Sequence, residues 1–239
     1  MNNIGASDKG LLRKSNQDCY RIVSKDNEIL TVVCDGIGGN RAGDVASSLA
    51  ADVLGTYFKN NYMPEDVGVW YNNAVQIVNK AVLHKSSEVE EYKGMGTTLV
   101  SALITENTTY IANVGDSRAY ILTKDQNLRQ ITNDHTVLNE LVQKKGIEYD
   151  VAAQFIGKNV ISRAIGIADD LQVDIYDIDN RDYDILLLCS DGLHGYVDEN
   201  VIKNILVGQS TLETKCRKLI DEANKSGGYD NVTVVLCQR

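Results

Sequence analysis

Two short runs dominated by apolar residues, 19–23 and 29–34, flank the turn-forming Lys25-Asp26-Asn27, and the pattern predicts a β-hairpin. From Arg41 the period lengthens: Val45, Leu49, Val53 and Tyr57 recur every four residues and predict one face of a helix. A second helix is expected after Pro64, where a helix entry tolerates proline, with Val67, Tyr71, Ala74, Val78 and Ala81 on its buried side. Strand signals follow at residues 97–104, 109–114, 118–122, 172–178 and 184–189. A last helix carries Leu212, Cys216, Leu219, Ile220 and Ala223 as one stripe, Gly227-Gly228 stop it, and a final strand covers residues 232–237. Residues 136–160 fit neither period and are expected to form a flap. Helices come in blocks between runs of strands, which favours a single α+β domain over residues 1–239, with antiparallel sheets and helices outside, over strict βαβ alternation.

Composition narrows the class. The 239 residues are 43% hydrophobic and 24% charged, as in an ordinary globular protein, with no low-complexity tract or fixed-period repeat. The longest apolar runs are a strand's length, far below the roughly 20 residues a membrane helix needs. The first residues lack the charged start and apolar core of a secretory signal, so a cytoplasmic protein without a membrane partner is expected. Five scattered cysteines at no C-x-x-C spacing point to buried reduced thiols, not to zinc or disulfides. A formal charge of −9 argues against nucleic acid as a partner.

Charge also singles out the chemistry. Val32-Val33-Cys34-Asp35 and Leu187-Leu188-Cys189-Ser190-Asp191 pass from an apolar run straight to a carboxylate, and Asp35-Gly36, Asp191-Gly192 and Asp230-Asn231 repeat the theme. A carboxylate at the end of a buried strand is costly unless a cation compensates it. Aspartates with backbone carbonyls, without histidine or cysteine, suit Mg²⁺ or Mn²⁺ before Zn²⁺. Any single Asp-Gly is more simply a turn; the series shifts the balance.

Eight ordered motifs carry a resemblance over nearly the whole chain: Ser7-Asp8-Lys9-Gly10 with Arg13-Lys14-Ser15-Asn16-Gln17-Asp18, Asp35-Gly36-Ile37-Gly38-Gly39, Gly96-Thr97-Thr98, Asn113-Val114-Gly115-Asp116-Ser117-Arg118, Asp134-His135, Ser162-Arg163-Ala164-Ile165-Gly166, Ser190-Asp191-Gly192-Leu193 and Asp230-Asn231-Val232-Thr233. The chain resembles the metal-dependent PPM (type 2C) serine/threonine protein phosphatases in their compact bacterial form. The resemblance implies a four-layer α-β-β-α sandwich, two antiparallel sheets flanked by helices, with metals in a cleft at one end. It implies that Asp35 bridges two Mn²⁺ or Mg²⁺ ions, that Asp191 and Asp230 complete one site, and that Asp18 and the Gly36 carbonyl serve the other directly or through water. A hydroxide bridging the metals would attack phosphorus in line. Arg13 matches the phosphate-binding arginine, whose alternative is a surface ion pair. Asp116 matches the ligand of a third, weaker metal and equally suits a tight turn.

Further roles follow from the same likeness. Arg118 and His135 read as structural, Thr97 and Thr98 as strand openers that could also orient the ligands by hydrogen bonds, and Gly38-Gly39 as a close backbone approach to the metals. Where eukaryotic relatives carry a histidine after the first Asp-Gly, this chain has Ile37, so no leaving-group acid is assigned. The glycines after Asp35 lack the Gly-Lys-Ser/Thr ending of a nucleotide loop. The implied substrates are phosphorylated proteins, with a serine/threonine kinase as counterpart and a monomer expected; a binding protein without turnover and a phosphatase dedicated to one regulatory switch protein are the alternatives.

Overall fold

The alternating hairpin appears as β2 (Asp18–Lys25) and β3 (Glu28–Ile37), longer than the apolar runs alone, with Asp26 at φ 52° in the turn. The structure, a computed structural model, describes residues 1–37, 42–62, 65–146, 148, 151, 153, 156–157 and 160–239. The segment 97–104 is broken into β4 (Gly96–Thr97) and β5 (Leu99–Ile104) because Thr98 leaves the ladder to bond the backbone of Asp35. Strands β6 (Thr108–Val114) and β7 (Arg118–Thr123) follow, then β9 (Asp174–Asp179), β10 (Tyr183–Cys189) and β11 (Val232–Gln238). Two strands had no clear signal, β1 (Asn2–Asp8) and the three-residue β8 (Leu128–Gln130).

All pairings are antiparallel and fall into two sheets. One runs β1-β11-β10-β7-β8; the other runs β2-β3-β5-β6-β9, with β4 paired to β3. Helices α1 (Gly43–Asn61) and α2 (Val67–Glu88) cover the second sheet over a core that includes Leu30, Val32, Leu54, Phe58 and Tyr71. Helices α5 (Glu199–Val207) and α6 (Leu212–Lys225) cover the first sheet around Leu187, Leu219 and Leu236. Between the sheets, Val33, Val100, Ile121, Leu186, Leu188 and Val235 form a third apolar layer. Strands such as β10, lined on both faces, therefore read as continuous apolar runs, each large side chain contributing roughly 2 kcal/mol by burial. The four layers expected from the resemblance are present.

The α1 face needs correction. Its deeply buried side is Ala46, Ser47, Ala50, Ala51, Leu54, Gly55 and Phe58, while Val45, Leu49, Val53 and Tyr57 are only half-buried beside it. Small residues let the helix backbone lie close to β2 and β3, and the larger stripe fills the flank, where Tyr57 stacks on Trp70 of α2 at 5.8 Å. The helix begins at Gly43, so Arg41 and Gly38-Gly39 lie outside the described residues, as does Pro64; α2 is capped instead by Asp66, which accepts the Val69 amide at 2.9 Å.

Part of the expected flap is regular. Thr136 caps α3 (Val137–Lys145), and Gly146 ends it in the left-handed conformation at φ 62°. An isolated bridge ties Thr136 to Ile161 at the segment's base. The final helix keeps its predicted stripe, since Leu212, Cys216, Leu219, Ile220 and Ala223 are all buried. The five cysteines are buried and free. Among the described residues no helix is long and apolar enough to cross a membrane.

Candidate active site

The site is assembled from three chain ends meeting where the two sheets open. The β2–β3 register places Asp18 directly opposite Asp35. Asp191 opens the one-turn helix α4 (Asp191–His194) immediately after β10, and Asp230 immediately precedes β11. A Cβ on Gly192 would fall 1.9 Å from the Asn231 carbonyl oxygen, so only glycine lets these two segments touch and bring Asp191 to Asp230. Together with Asp116 in the turn after β6, they border a cleft of about 530 Å³ whose wall includes Arg13, Lys14, Asp35, Gly36, Ile37 and Asn231. A Cβ on Gly43 would come within 2.8 Å of the Gly36 carbonyl oxygen, so glycine at the start of α1 keeps that oxygen accessible.

Asp18 departs from the simplest reading. It is absent from the wall of this cleft, and its Oδ2 accepts a 2.7 Å bond from Ser190 Oγ. Its other oxygen, Oδ1, is buried with no hydrogen-bond partner, as is Oδ1 of Asp191. Orphaned carboxylate oxygens inside a protein are expensive, and these two sit among further acids.

The electrostatics show the same stress. Burial, then the carboxylates of Asp18, Asp191 and Asp116, hold the Asp35 carboxyl far above the usual range. Burial also raises Asp18 and Asp191, and it pushes Asp116 up to about 7 with Asp191 and Asp134 adding to it. Such shifts record acids that cannot share a site as anions unless a cation joins them. Among the described residues no three His, Cys, Asp or Glu side chains are already gathered into a ready-made metal cluster. The acids are instead spread around a wet cleft, an arrangement that suits hard cations retaining several waters. The residues present therefore fit divalent metal through their orphaned oxygens and their all-oxygen donor set.

Arg13 supplies a positive contact to this group, its Nη2 donating to Asp230 Oδ2 at 2.6 Å. The ion pair considered for Arg13 thus exists, but its partner is a site carboxylate. The loop carrying Arg13 is held by Asn231, whose Oδ1 accepts the Gln17 amide at 2.8 Å and whose Nδ2 donates to the Lys9 and Ser15 carbonyls at 2.9 and 3.0 Å. This clamp was not read from the sequence, although the Asp230-Asn231 pair marks it. Ser190 and Thr233 were missed as well: Ser190 Oγ accepts the Thr233 amide at 3.0 Å while bonding Asp18.

The threonines are more than strand openers. The Asp35 amide donates to Thr98 Oγ1 at 2.9 Å, Thr97 Oγ1 donates to the Asp35 carbonyl at 2.9 Å, and Thr98 shares a 2.7 Å bond with Ser117. They fix the peptide that aims Asp35. Ile165 exchanges backbone bonds with Thr97, and the Gly166 amide donates to Asn79 Oδ1 of α2 at 2.7 Å, so the Ser162–Gly166 motif ties this corner to the helical layer.

Arg118 and His135 each bind a neighbouring carboxylate outside the cleft wall. Arg118 binds Asp134 through two bonds of 2.9 and 2.7 Å and also reaches Tyr120 Oη. His135 accepts the Gly115 amide on Nδ1 and faces Asp174 with Nε2, and burial lowers its pKa. None of the five cysteines lines the cleft, and burial pushes Cys189 and Cys237 up to about 12, which removes the thiolate a cysteine nucleophile needs.

Comparison with known proteins agrees with this geometry. Residues 13–227 match the family model described as protein phosphatase 2C, and the chain belongs to that family. It is 39% identical over 237 residues to a serine/threonine phosphatase stp of Listeria monocytogenes, covering 98% of this chain and 94% of that protein. The crystal structure of serine/threonine phosphatase Stp1 from Staphylococcus aureus superposes with a TM-score of 0.91 at 37% identity, over 99% of this chain and 94% of that one. A catalytic domain of the phosphatase PstP, solved with two manganese ions, gives a TM-score of 0.84 at 32% identity, over 99% and 97% of the two chains.

Proposed function

We propose that this chain hydrolyses phosphoserine and phosphothreonine in proteins, using two Mn²⁺ or Mg²⁺ ions held by Asp35, Asp191, Asp230, the Gly36 carbonyl and, through water, Asp18. The observation that carries the reading is the ring of mutually repelling, partly orphaned carboxylates around a cleft that also holds an arginine. The PstP relative with two manganese ions supports the number of ions, and Asp116 is the candidate for a third, weaker one.

Bound there, divalent cations would acidify a water for in-line attack and neutralise the phosphoryl charge. The chain's own residues do the rest. Asp35, its backbone fixed by Thr97 and Thr98, lies close to Asp191 and Asp116 and would serve as the shared ligand. A guanidinium has five N–H donors, so the bond from Arg13 to Asp230 leaves others for two phosphoryl oxygens, where the arginine offsets charge gained in the transition state. Ile37 in the wall has no proton to give, and the departing alkoxide takes its proton from solvent in the cleft. The chain works as one catalytic domain and a monomer in the cytoplasm, opposite a serine/threonine kinase.

The test is phosphate release from a phosphothreonine peptide by metal-stripped protein, with and without added Mn²⁺, beside Asp35→Asn. Manganese-dependent release that the substitution abolishes supports the reading. A folded protein that binds manganese and releases no phosphate from any phosphoprotein would be a binding module instead.

A further inference from the structure

Three of the segments that build the cleft also carry exposed large apolar residues on its rim. Leu11 and Leu12 are 67% and 65% exposed, Tyr229 is 51% exposed and Tyr196 is 37% exposed. Their positions are fixed by the site itself. Leu12 is in the cleft wall beside Arg13, Tyr229 precedes Asp230, and Tyr196 follows the helix that starts at Asp191. The Leu11 and Leu12 amides both donate to the Gly228 carbonyl, at 2.8 and 3.2 Å, which ties the Arg13 loop to the turn carrying Tyr229. The Tyr196 and Tyr229 rings lie 5.3 Å apart, tilted by 33°. The Tyr196 hydroxyl also feels the charges of Asp191, Asp230 and Arg13.

Water-facing leucines tied by backbone bonds to the turn that precedes Tyr229, and a tyrosine pair in ring contact, form an apolar shelf, a feature that marks interaction surfaces. We infer that this shelf, Leu11, Leu12, Tyr196 and Tyr229, binds an apolar side chain of the substrate polypeptide next to its phosphorylated residue. The inference rests on the phosphatase reading, because the shelf is continuous with the wall that takes the phosphate. With a phosphoryl group seated at Arg13, next to Leu12, residues flanking the phosphorylated one come within reach of this rim. Specificity thus comes from flanking aliphatic or aromatic residues, and a phosphoamino acid without flanks forgoes that contact.

The experiment compares two phosphothreonine peptides of equal length and charge with added Mn²⁺, one flanked by Leu and Phe, the other by Ser and Gly. Wild-type protein should prefer the apolar peptide by about tenfold in kcat/KM, expressed mainly in KM, a size typical of one aromatic anchor. The double variant Tyr196→Ala/Tyr229→Ala should lose that preference and still cleave the Ser/Gly peptide within about twofold of wild type, while Tyr196→Phe/Tyr229→Phe should keep it. Equal cleavage of both peptides by wild type, or an unchanged preference in the alanine variant, overturns the shelf and leaves the phosphatase reading intact. Failure of wild type to cleave either peptide or any other phosphoprotein overturns both.

Discussion

The protein handles its aspartates in two opposite ways. Away from the cleft, Asp134 is gripped by Arg118 through two short bonds, and Asp174 by Arg163 at 2.9 Å with His135 beside it. The Asp174 pKa is lowered accordingly by His135 and Arg163 against its partial burial. At the site, burial first and then neighbouring carboxylates raise Asp18, Asp35, Asp116 and Asp191, every one of them. Only Asp230 among the site acids has an arginine bond of this kind among the described residues, from Arg13. Acids meant to hold the fold receive an internal cation, and acids meant to work are left for an external one.

The largest effect should come from Asp35. Asp35→Asn is expected to lower kcat/KM by about a thousandfold or more, since it removes the central ligand. It should also separate activity from stability. A carboxyl whose folded pKa lies above its unfolded value costs stability as pH rises through that interval, so in metal-free protein at pH 7.5 the asparagine should raise the thermal midpoint. Added Mn²⁺ should stabilise wild type by about 2–3 kcal/mol at a hundredfold excess over its dissociation constant, and the variant much less. A metal-free variant melting below wild type would break the contrast between working and structural acids.

Arg118→Ala probes the other side. It leaves Asp134 without its main partner in a mostly buried setting and should cost about 3 kcal/mol in urea unfolding, where relieving the cleft acids would gain stability. A loss below about 0.5 kcal/mol would place this pair with ordinary surface bridges. Arg13→Ala should sharpen the comparison further. Its side chain is half exposed, so stability should change little, whereas kcat/KM should fall about thirtyfold through lost phosphate and transition-state contacts.

The smallest effect is a pH dependence at His135. Its Nδ1 accepts an amide while Nε2 faces Asp174, an arrangement that a neutral ring satisfies, and the Arg163 cation opposes protonation. Because the folded pKa is lowered, this stabilisation is complete above about pH 6.5 and is lost as pH falls through the folded value. Denaturant midpoints from pH 8 to 5 should therefore decline more steeply for wild type than for His135→Gln. Asp174, also lowered, adds its own loss only at more acid pH.

Legibility tracked how local each cause was. The hairpin, the second and last helices and most strands followed from period and turn chemistry, and Asp35, Asp191 and Asp230 stood out because a carboxylate ends an apolar run or opens one. The α1 face misled because its true contact side is alanine, serine and glycine, residues that give little hydrophobic signal and matter by allowing close approach. Strand β1 was invisible because its polar, half-exposed sequence is a strand only through pairing with β11.

The sequence by itself determined an α+β class with helices outside antiparallel sheets and the buried reduced cysteines, and it singled out Asp35, Asp191 and Asp230 as candidates, because burial periodicity and charge beside apolar runs are written in neighbouring residues; the layered sandwich and the remaining acids came from the motif resemblance. Tertiary structure alone decided that Asp18 meets Asp35 across a register and is bonded by Ser190, that Arg13 rests on Asp230, and that Asn231, Thr97 and Thr98 hold the site in place. Those are contacts between residues up to 222 positions apart, and hydrogen bonds across such separations leave no period in the chain that makes them.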